Sequence, residues 1–330
     1  MSLKPQTFDP IPEATARVAE AAFPKLNIYM WRRDKFGSLY TDGTFAELFP
    51  AQGQPAQSPS GQRIGILNRI ALVTGATGAI GEAIARQLAA QDGYEVVLAC
   101  RNEEKAQQAV EEIRQATGNL NARYELVDVS RRSSIQALVD RWRGPLHILI
   151  NNAAVSPRQR RETPEGIELQ FATNVLGYFW MTQLFSEHLK KSAAARVINV
   201  ASYWAGDLDL TDLEFKRRRY NNGTAYRQSK QANRMLTVAF AARLKSAGVT
   251  VNACHPGDVN SQLSNDLGFG GQTSPDAGAN TAVWLAADPS VQGETGKYFE
   301  QRRMMRCRFG EDRAAVKALY EACASYTLLQ

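Results

Sequence analysis

A doubly wound α/β fold, three layers with a parallel sheet between two sets of helices, is predicted for most of this 330-residue chain. Three observations predict it. From Arg69 onward, apolar β-type runs alternate with long helical patterns, the grammar of a parallel sheet covered on both faces. The first run ends in a glycine-spaced turn that opens a helix. The composition, 44% apolar and 22% charged, is that of a globular chain able to bury a sizeable core.

Taken in order, residues 1–65 stand apart. They hold Pro5, Pro10, Pro12, Pro24, Pro50, Pro55 and Pro59, and the stretch from Pro50 to Gln62 reads as a linker. A short helix fits Glu13 to Ala22, but no pattern there is long enough to build a core. The strand-like runs are Ile70–Thr74, Glu95–Cys100, Ala122–Val127, Leu146–Asn151, Arg196–Ala201, Thr250–Cys254 and Tyr298–Glu300. Helical patterns lie near Ala79–Gln91, Glu103–Thr117, Arg131–Trp142, Gly166–Lys191, Asn222–Ala247, Pro275–Ala287 and Glu311–Tyr326. The expected organisation is a single domain, 66–330, behind an N-terminal extension, 1–65. Loops 203–222 and 261–275 form its substrate rim, the second a lid moving on Gly268, Gly270 and Gly271.

Several classes are excluded. The four cysteines, Cys100, Cys254, Cys307 and Cys323, are widely spaced, which argues against a disulfide framework or a zinc site. His147, His188 and His255 fall in different elements and read as structural, so no metal site is expected. No stretch reaches the ~20 apolar residues of a membrane span, and the N-terminus lacks a signal-peptide core. A cytoplasmic location is expected. The net charge of +6 comes partly from runs such as Lys216–Arg219 and Arg302/Arg303/Arg306/Arg308, which read as solvated faces.

The first strand closes with Thr74-Gly75-Ala76-Thr77-Gly78-Ala79-Ile80-Gly81, a GxxGxxG spacing. Side-chain-free positions let the backbone approach a pyrophosphate, and the helix start points its N–H groups at the anion. This makes the fold Rossmann-type and the turn a dinucleotide cradle. The second strand ends in Cys100-Arg101-Asn102, with no acid at its tip. Arg101 is placed to meet a 2′-phosphate, so NADP(H) is expected over NAD(H); the other reading is that Arg101 faces solvent. Asp128, in Asp128-Val129, either accepts from the adenine amino group or lies in the N-cap region of the next helix, with Ser130 as the cap.

Tyr226 and Lys230 stand four apart in a helical pattern and so share one face. A free tyrosine, with a pKa of about 10, is too weak an acid for efficient exchange at neutral pH. A neighbouring ammonium is expected to lower it. Ser202 follows the strand Arg196–Ala201, at the carboxyl edge where such sheets bind ligands. Asn174 sits mid-helix, a poor place for asparagine unless its amide has a buried role.

With these residues in view, 66–330 resembles the short-chain dehydrogenase/reductase superfamily, in its retinol dehydrogenase and protochlorophyllide reductase-like branch. The matching stretches are 97–102, Asn151-Asn152-Ala153-Ala154, 173–179, 225–233 and 251–257. The resemblance implies a complete catalytic set. Tyr226 is the acid or base, and Lys230 holds the nicotinamide ribose and lowers the tyrosine pKa. Ser202 orients the carbonyl, and Asn174 anchors a water of the proton relay. It also implies that Asn151, Asn152, Ala153 and Ala154 border the cofactor. The turn Pro256-Gly257, with Val259 and Ser261, lies against the nicotinamide. Departures are the early Gly78, Ala79 in place of the family's middle glycine, Ala154 for a glycine, and the insertion Tyr203–Ala225. The family forms dimers or tetramers, here expected through helices 166–191 and 222–247. The implied activity is hydride transfer between NADP(H) and a carbonyl or alcohol on a small molecule, lipophilic to judge from Tyr203, Trp204, Leu208, Leu263, Leu267 and Phe269. Phe179 and Trp180 read as core.

Residues 22–56 resemble the start of a bacterial insertion-sequence transposase, which suggests a fused fragment. With seven basic and six acidic residues, 1–65 has no basic excess to mark a nucleic-acid arm. The other class left standing is a cofactor-binding sensor without turnover, which the complete Ser/Tyr/Lys/Asn set opposes.

Overall fold

A computed structural model of the chain describes residues 31–33, 39–41, 69–192 and 194–327. The chain divides into two compact units, Met1–Gly65 and Ile66–Gln330. In the first, β1 (Trp31–Arg33) pairs antiparallel with β2 (Leu39–Thr41). The helix expected at 13–22, the linker at 50–62 and most of the transposase-like stretch lie outside the described residues.

The second unit holds an eight-stranded sheet. Its strands are β3 (Arg69–Thr74), β4 (Tyr94–Cys100), β5 (Arg123–Leu126), β6 (Ile148–Asn151), β7 (Arg196–Val200), β8 (Thr250–His255), β9 (Tyr298–Glu300) and β10 (Arg303–Met305). The order is β10-β9-β8-β7-β6-β3-β4-β5. Every pairing from β3 to β9 is parallel. The order reverses between β3 and β6, and the carboxyl ends of strands at such a switch point form the ligand crevice of open α/β sheets.

Strand alternation decides which core each residue joins. Leu72, Val97, Leu149, Val197 and Val251 face one core. It is shared with α3 (Arg132–Arg141), α5 (Gly177–Leu184), α7 (Asn222–Leu244) and α10 (Arg313–Ser325). Their neighbours Ala71, Val73, Val96, Leu98, Ile150 and Ile198 face the other core. There α1 (Ala79–Ala89), α2 (Glu103–Thr117) and α9 (Pro275–Ala287) cover the sheet. Both faces are dry, which is why these strands read as continuous apolar runs.

Three differences from the sequence reading have local causes. The single helix expected at 166–191 is broken into α4 (Leu169–Phe171), a π-helical turn at Ala172–Leu176, α5 and α6 (Ser186–Lys190). The π-turn shifts the ladder so that Gly177 N–H reaches Ala172 O. Gly177 is required there, because a Cβ would sit 2.8 Å from the Val129 carbonyl oxygen. The hairpin β9–β10 was not expected, since its two-residue turn, Gln301 and Arg302 (φ 47° and 61°), lacks the glycine or asparagine that signals such turns. Finally, Ser130 is not the cap of α3. That position is Arg131, without a side-chain cap, and Ser130 bonds back to Asp128 instead.

The C-terminal helix α10 crosses the two long helical segments. Tyr320 lies 5.1 Å from Phe179 and 5.5 Å from Phe240, and the Arg243 guanidinium sits 3.4 Å over its ring. Among the described residues no helix is long and apolar enough to cross a membrane.

Candidate active site

The glycine turn is shaped by its neighbours. Gly75 has φ +64°, and a Cβ there would lie 2.8 Å from the Ala153 Cα. At Gly81 a Cβ would meet Gly75 O at 2.3 Å and Asn152 Nδ2 at 2.6 Å. Gly78 is the permissive one of the three, with nothing nearer than 3.4 Å. It is the N-cap of α1 and offers no side-chain cap, so the first-turn amides of Ala79, Ile80 and Gly81 keep their donors for a ligand. Thr77 contacts the buried Cys100 thiol, whose pKa burial raises to about 11.

Strand ends supply the rest of the crevice. Thr74 Oγ1 accepts from the main-chain N–H groups of Asn152 and Ala153 at 2.9 and 3.1 Å, and Asn152 Nδ2 donates to Thr74 O at 2.9 Å. These bonds lock the Asn152-Ala153-Ala154 turn to the glycine loop. Asn151 differs from the expectation. It is fully buried and donates to Thr182 Oγ1 and Asn199 Oδ1 at 3.1 and 2.9 Å, bracing β6 to β7 and α5. Arg101 is exposed at the tip of β4 and makes no hydrogen bond or ion pair among the described residues. Asn102 caps α2, accepting from Lys105 N–H at 2.8 Å. Asp128 Oδ1 accepts from Ser130 N–H and Oγ–H at 3.0 and 2.7 Å, and Val129 is buried beside it.

Tyr226, Lys230 and Ser202 come together as the spacing predicts. Lys230 lies one turn beyond Tyr226 on α7, its ammonium 5.5 Å from the Tyr226 ring and 5.4 Å from Tyr178. It donates to Val200 O at 2.9 Å, a carbonyl that also accepts from Tyr178 Oη–H at 3.2 Å. Tyr226 is 8% exposed and lines one cavity with Ser202, whose hydroxyl accepts from Trp204 N–H at 3.1 Å. The expected lowering of the tyrosine pKa is not found. Burial raises Tyr226 to about 12, and burial lowers Lys230 to about 7. The ammonium is itself desolvated, with a backbone carbonyl rather than a carboxylate as its partner, so it has little charge to lend.

Asn174 lies in the π-turn and is fully buried. Its amide spans three partners: Oδ1 accepts from Val155 N–H at 2.9 Å, and Nδ2 donates to Val155 O at 3.0 Å and to Ser229 Oγ at 3.3 Å. Ser229 in turn donates to Tyr226 O at 2.7 Å. The side chain therefore fixes the loop after β6 against the helix that carries Tyr226.

A cavity of about 390 Å³ opens over this centre, lined by Ser202, Tyr226, Trp204, His255, Leu267 and Phe269 among others. A second, about 540 Å³, adjoins it through Tyr203, His255, Pro256, Gly257 and Asp258. Trp204 and Phe269 approach edge-on at 6.4 Å, so the two predicted loops meet above the site. Leu208 packs on the core, and Phe179 and Trp180 are fully buried core residues. Ser261 caps α8 (Gln262–Asp266) in a reciprocal box with Ser264, and Val259 is buried against Gly278. His255, read from sequence as structural, lines both cavities. Burial lowers it to about 4, and its Nδ1 has no partner among the described residues. Only its place before Pro256-Gly257 could have signalled this. No metal-ligand cluster occurs among the described residues.

Comparison with known proteins gives the family and the fold. A sequence profile of the short chain dehydrogenase family matches residues 69–268. Human retinol dehydrogenase 13 is 36% identical over 255 residues, covering 71% of this chain and 77% of its own. A probable oxidoreductase of Streptomyces antibioticus is 34% identical over 268 residues, covering 75% and 89%. Among solved structures, an uncharacterised protein from Mycobacterium paratuberculosis superposes with a TM-score of 0.67 at 28% identity, covering 80% of this chain and 95% of that one.

Proposed function

The chain belongs to the short-chain dehydrogenase family of oxidoreductases, which bind a nicotinamide dinucleotide, and on that premise we propose that it interconverts a carbonyl and a primary or secondary alcohol on a lipophilic small molecule with NADP(H). The observation that carries this reading is that Tyr226 and Ser202 line one aromatic-rimmed cavity, with Lys230 one turn behind Tyr226.

The residues fit the dinucleotide. Gly75 and Gly81 leave no room for side chains beneath the cradle, and α1 presents uncapped amides to it. Arg101 would hold the 2′-phosphate, with Asn102, Asp128 and Val129 on the adenosine side. Asn152, Ala153, Ala154 and Lys230 would border the ribose, and Pro256, Gly257, Val259 and Ser261 the nicotinamide. When bound, the cofactor supplies or accepts the hydride.

The chain's own residues handle the oxygen. Ser202 Oγ–H donates to the substrate carbonyl oxygen and orients it. Tyr226 Oη–H gives its proton to that oxygen in reduction and takes it back in oxidation. A hydroxyl held at about 12 keeps its proton at neutral pH, which suits a donor. Lys230, near 7, exchanges a proton readily behind it. Asn174, through Val155 and Ser229, keeps Tyr226 aimed. Trp204, Leu267 and Phe269 exclude water and favour an apolar substrate.

The test is fluorescence titration with NADPH and NADH, followed by turnover of an aldehyde and ketone panel. NADPH should bind more tightly, and at least one apolar carbonyl should be reduced. A preference for NADH would refute the cofactor assignment. Tight binding with no turnover across the panel would instead identify a silent sensor.

A further inference from the structure

The basic run at 302–308 meets an arginine from another element in a cavity that the proposed reaction does not use. Arg306 and Arg308 follow β10, and Arg234 lies two turns beyond Tyr226 on α7. With Tyr203, Ala205 and Phe309 they line a cavity of about 520 Å³. The Arg234 side chain is only 8% exposed. Its guanidinium stacks 3.5 Å from the centre of the Tyr298 ring and 5.6 Å from that of Phe309. Nη2 donates to the main-chain oxygen of Ser202 at 2.6 Å, while Nε has no hydrogen-bond partner among the described residues. Arg308 lies 5.0 Å over the same Phe309 ring and forms no ion pair among the described residues. Two guanidiniums therefore flank one phenyl ring.

Two carboxylates answer these three cations. Glu311 is spent on Arg306, at 2.7 and 2.9 Å. Glu300 stands 3.9 Å from Arg234, through an oxygen that already accepts from Tyr298 Oη–H at 2.7 Å. A positive excess remains in a concave, partly buried place, where charges are screened less than in open water. Guanidiniums with unspent donors match the oxygens of carboxylates and phosphates.

The geometry points to this cavity as an anion-binding site beside the catalytic centre, taking a carboxylate or phosphate group. Tyr203 joins the two places, lining both this cavity and the one over Ser202 and Tyr226. The anion is either the acidic tail of the carbonyl substrate or a separate small anion; the first source rests on the function proposed above, the second does not.

The experiment uses the full chain, wild type, Arg308→Glu and the Arg306→Ala/Arg308→Ala double variant. Arg306 and Arg308 are exposed, so these changes leave the core intact. Inorganic phosphate and 10-oxodecanoate are titrated calorimetrically, and kcat/KM is measured for decanal and 10-oxodecanoate. A preference for the oxo acid of about tenfold or more, lost in Arg308→Glu, assigns the site to a substrate carboxylate. No preference, with phosphate binding that disappears in both variants, assigns it to a separate anion. Binding that disappears in the variants while neither aldehyde is turned over keeps the site as one for a separate anion and counts against linear aldehydes as substrates. Equal behaviour of all three proteins toward both anions overturns the inference.

Discussion

Replacing Lys230 by methionine is expected to stabilise the fold while stopping turnover. The ammonium is 2% exposed, donates to Val200 O at 2.9 Å and has no carboxylate in ion-pair range among the described residues. Burial lowers its pKa from 10.5 to about 7. Below about pH 7, folded and unfolded chains both hold the proton. Between about 7 and 10.5 the unfolded chain binds a proton that the folded one has released, so stability rises with pH across that window. At ~1.4 kcal/mol per pH unit, the destabilisation at neutral pH is at most about 5 kcal/mol. Methionine removes the charge and keeps most of the volume. The lost hydrogen bond costs about 1 kcal/mol, and Val200 O still accepts from Tyr178. The net gain is about 2–4 kcal/mol, or about 4–8 °C in Tm for a domain of this size. Calorimetric melts of both proteins from about pH 6 to pH 10 would read it. The variant's advantage in Tm over the wild type should be largest near neutral pH and shrink as pH rises toward about 10, whatever slope the buried thiols add to both proteins. A variant that melts at or below the wild type near neutral pH, or with the same pH slope, would refute this account of Lys230.

Other expectations are as direct. Tyr226→Phe should abolish carbonyl reduction while NADPH still quenches protein fluorescence; measurable turnover would reject Tyr226 as the proton donor. Arg101→Ala should raise the KM for NADPH by roughly tenfold or more, the worth of a charged hydrogen bond, and leave that for NADH unchanged. An equal rise for both cofactors would place Arg101 outside the 2′-phosphate site. Gly81→Ala should lower the urea midpoint, because its Cβ lands 2.3 Å from Gly75 O and overpacking of about 1–3 kcal/mol outweighs a helix-propensity gain of about 1 kcal/mol. Gly78→Ala, whose Cβ would sit at van der Waals contact, 3.4 Å from Gly75 O, should stay near the wild type. Equal losses in the two alanine variants would mean that the glycine loop is not shaped by these contacts.

Much of the site could be read along the chain because it is local. The glycine turn follows a strand within eight residues, and Tyr226 and Lys230 share a helix face through their spacing alone. The central strands β3, β4, β6, β7 and β8 are legible because both their faces are dry, so each is largely a run of apolar residues, whereas β5 (Arg123–Leu126) is an edge strand with no buried residue. Contacts between distant segments were not legible. Nothing near His255 reveals that its ring lines two cavities, and nothing in the 302–308 run reveals that Arg234, far earlier in the chain, faces the same space. Asn174 was recognised by being out of place in a helix, but its partner Val155 comes from a loop that only folding brings near.

The sequence by itself determined the layer order, the glycine turn and the pairing of Tyr226 with Lys230 on one helix face, since each depends on periodicity or spacing within one element. Only the tertiary structure decided which glycines tolerate a side chain, because that depends on Ala153 and Asn152 arriving from another strand. It also reversed the expected electrostatics of Tyr226 and Lys230. Spacing brings an ammonium to a phenol, but burial sets what each group's charge costs, and burial is a property of everything packed around them.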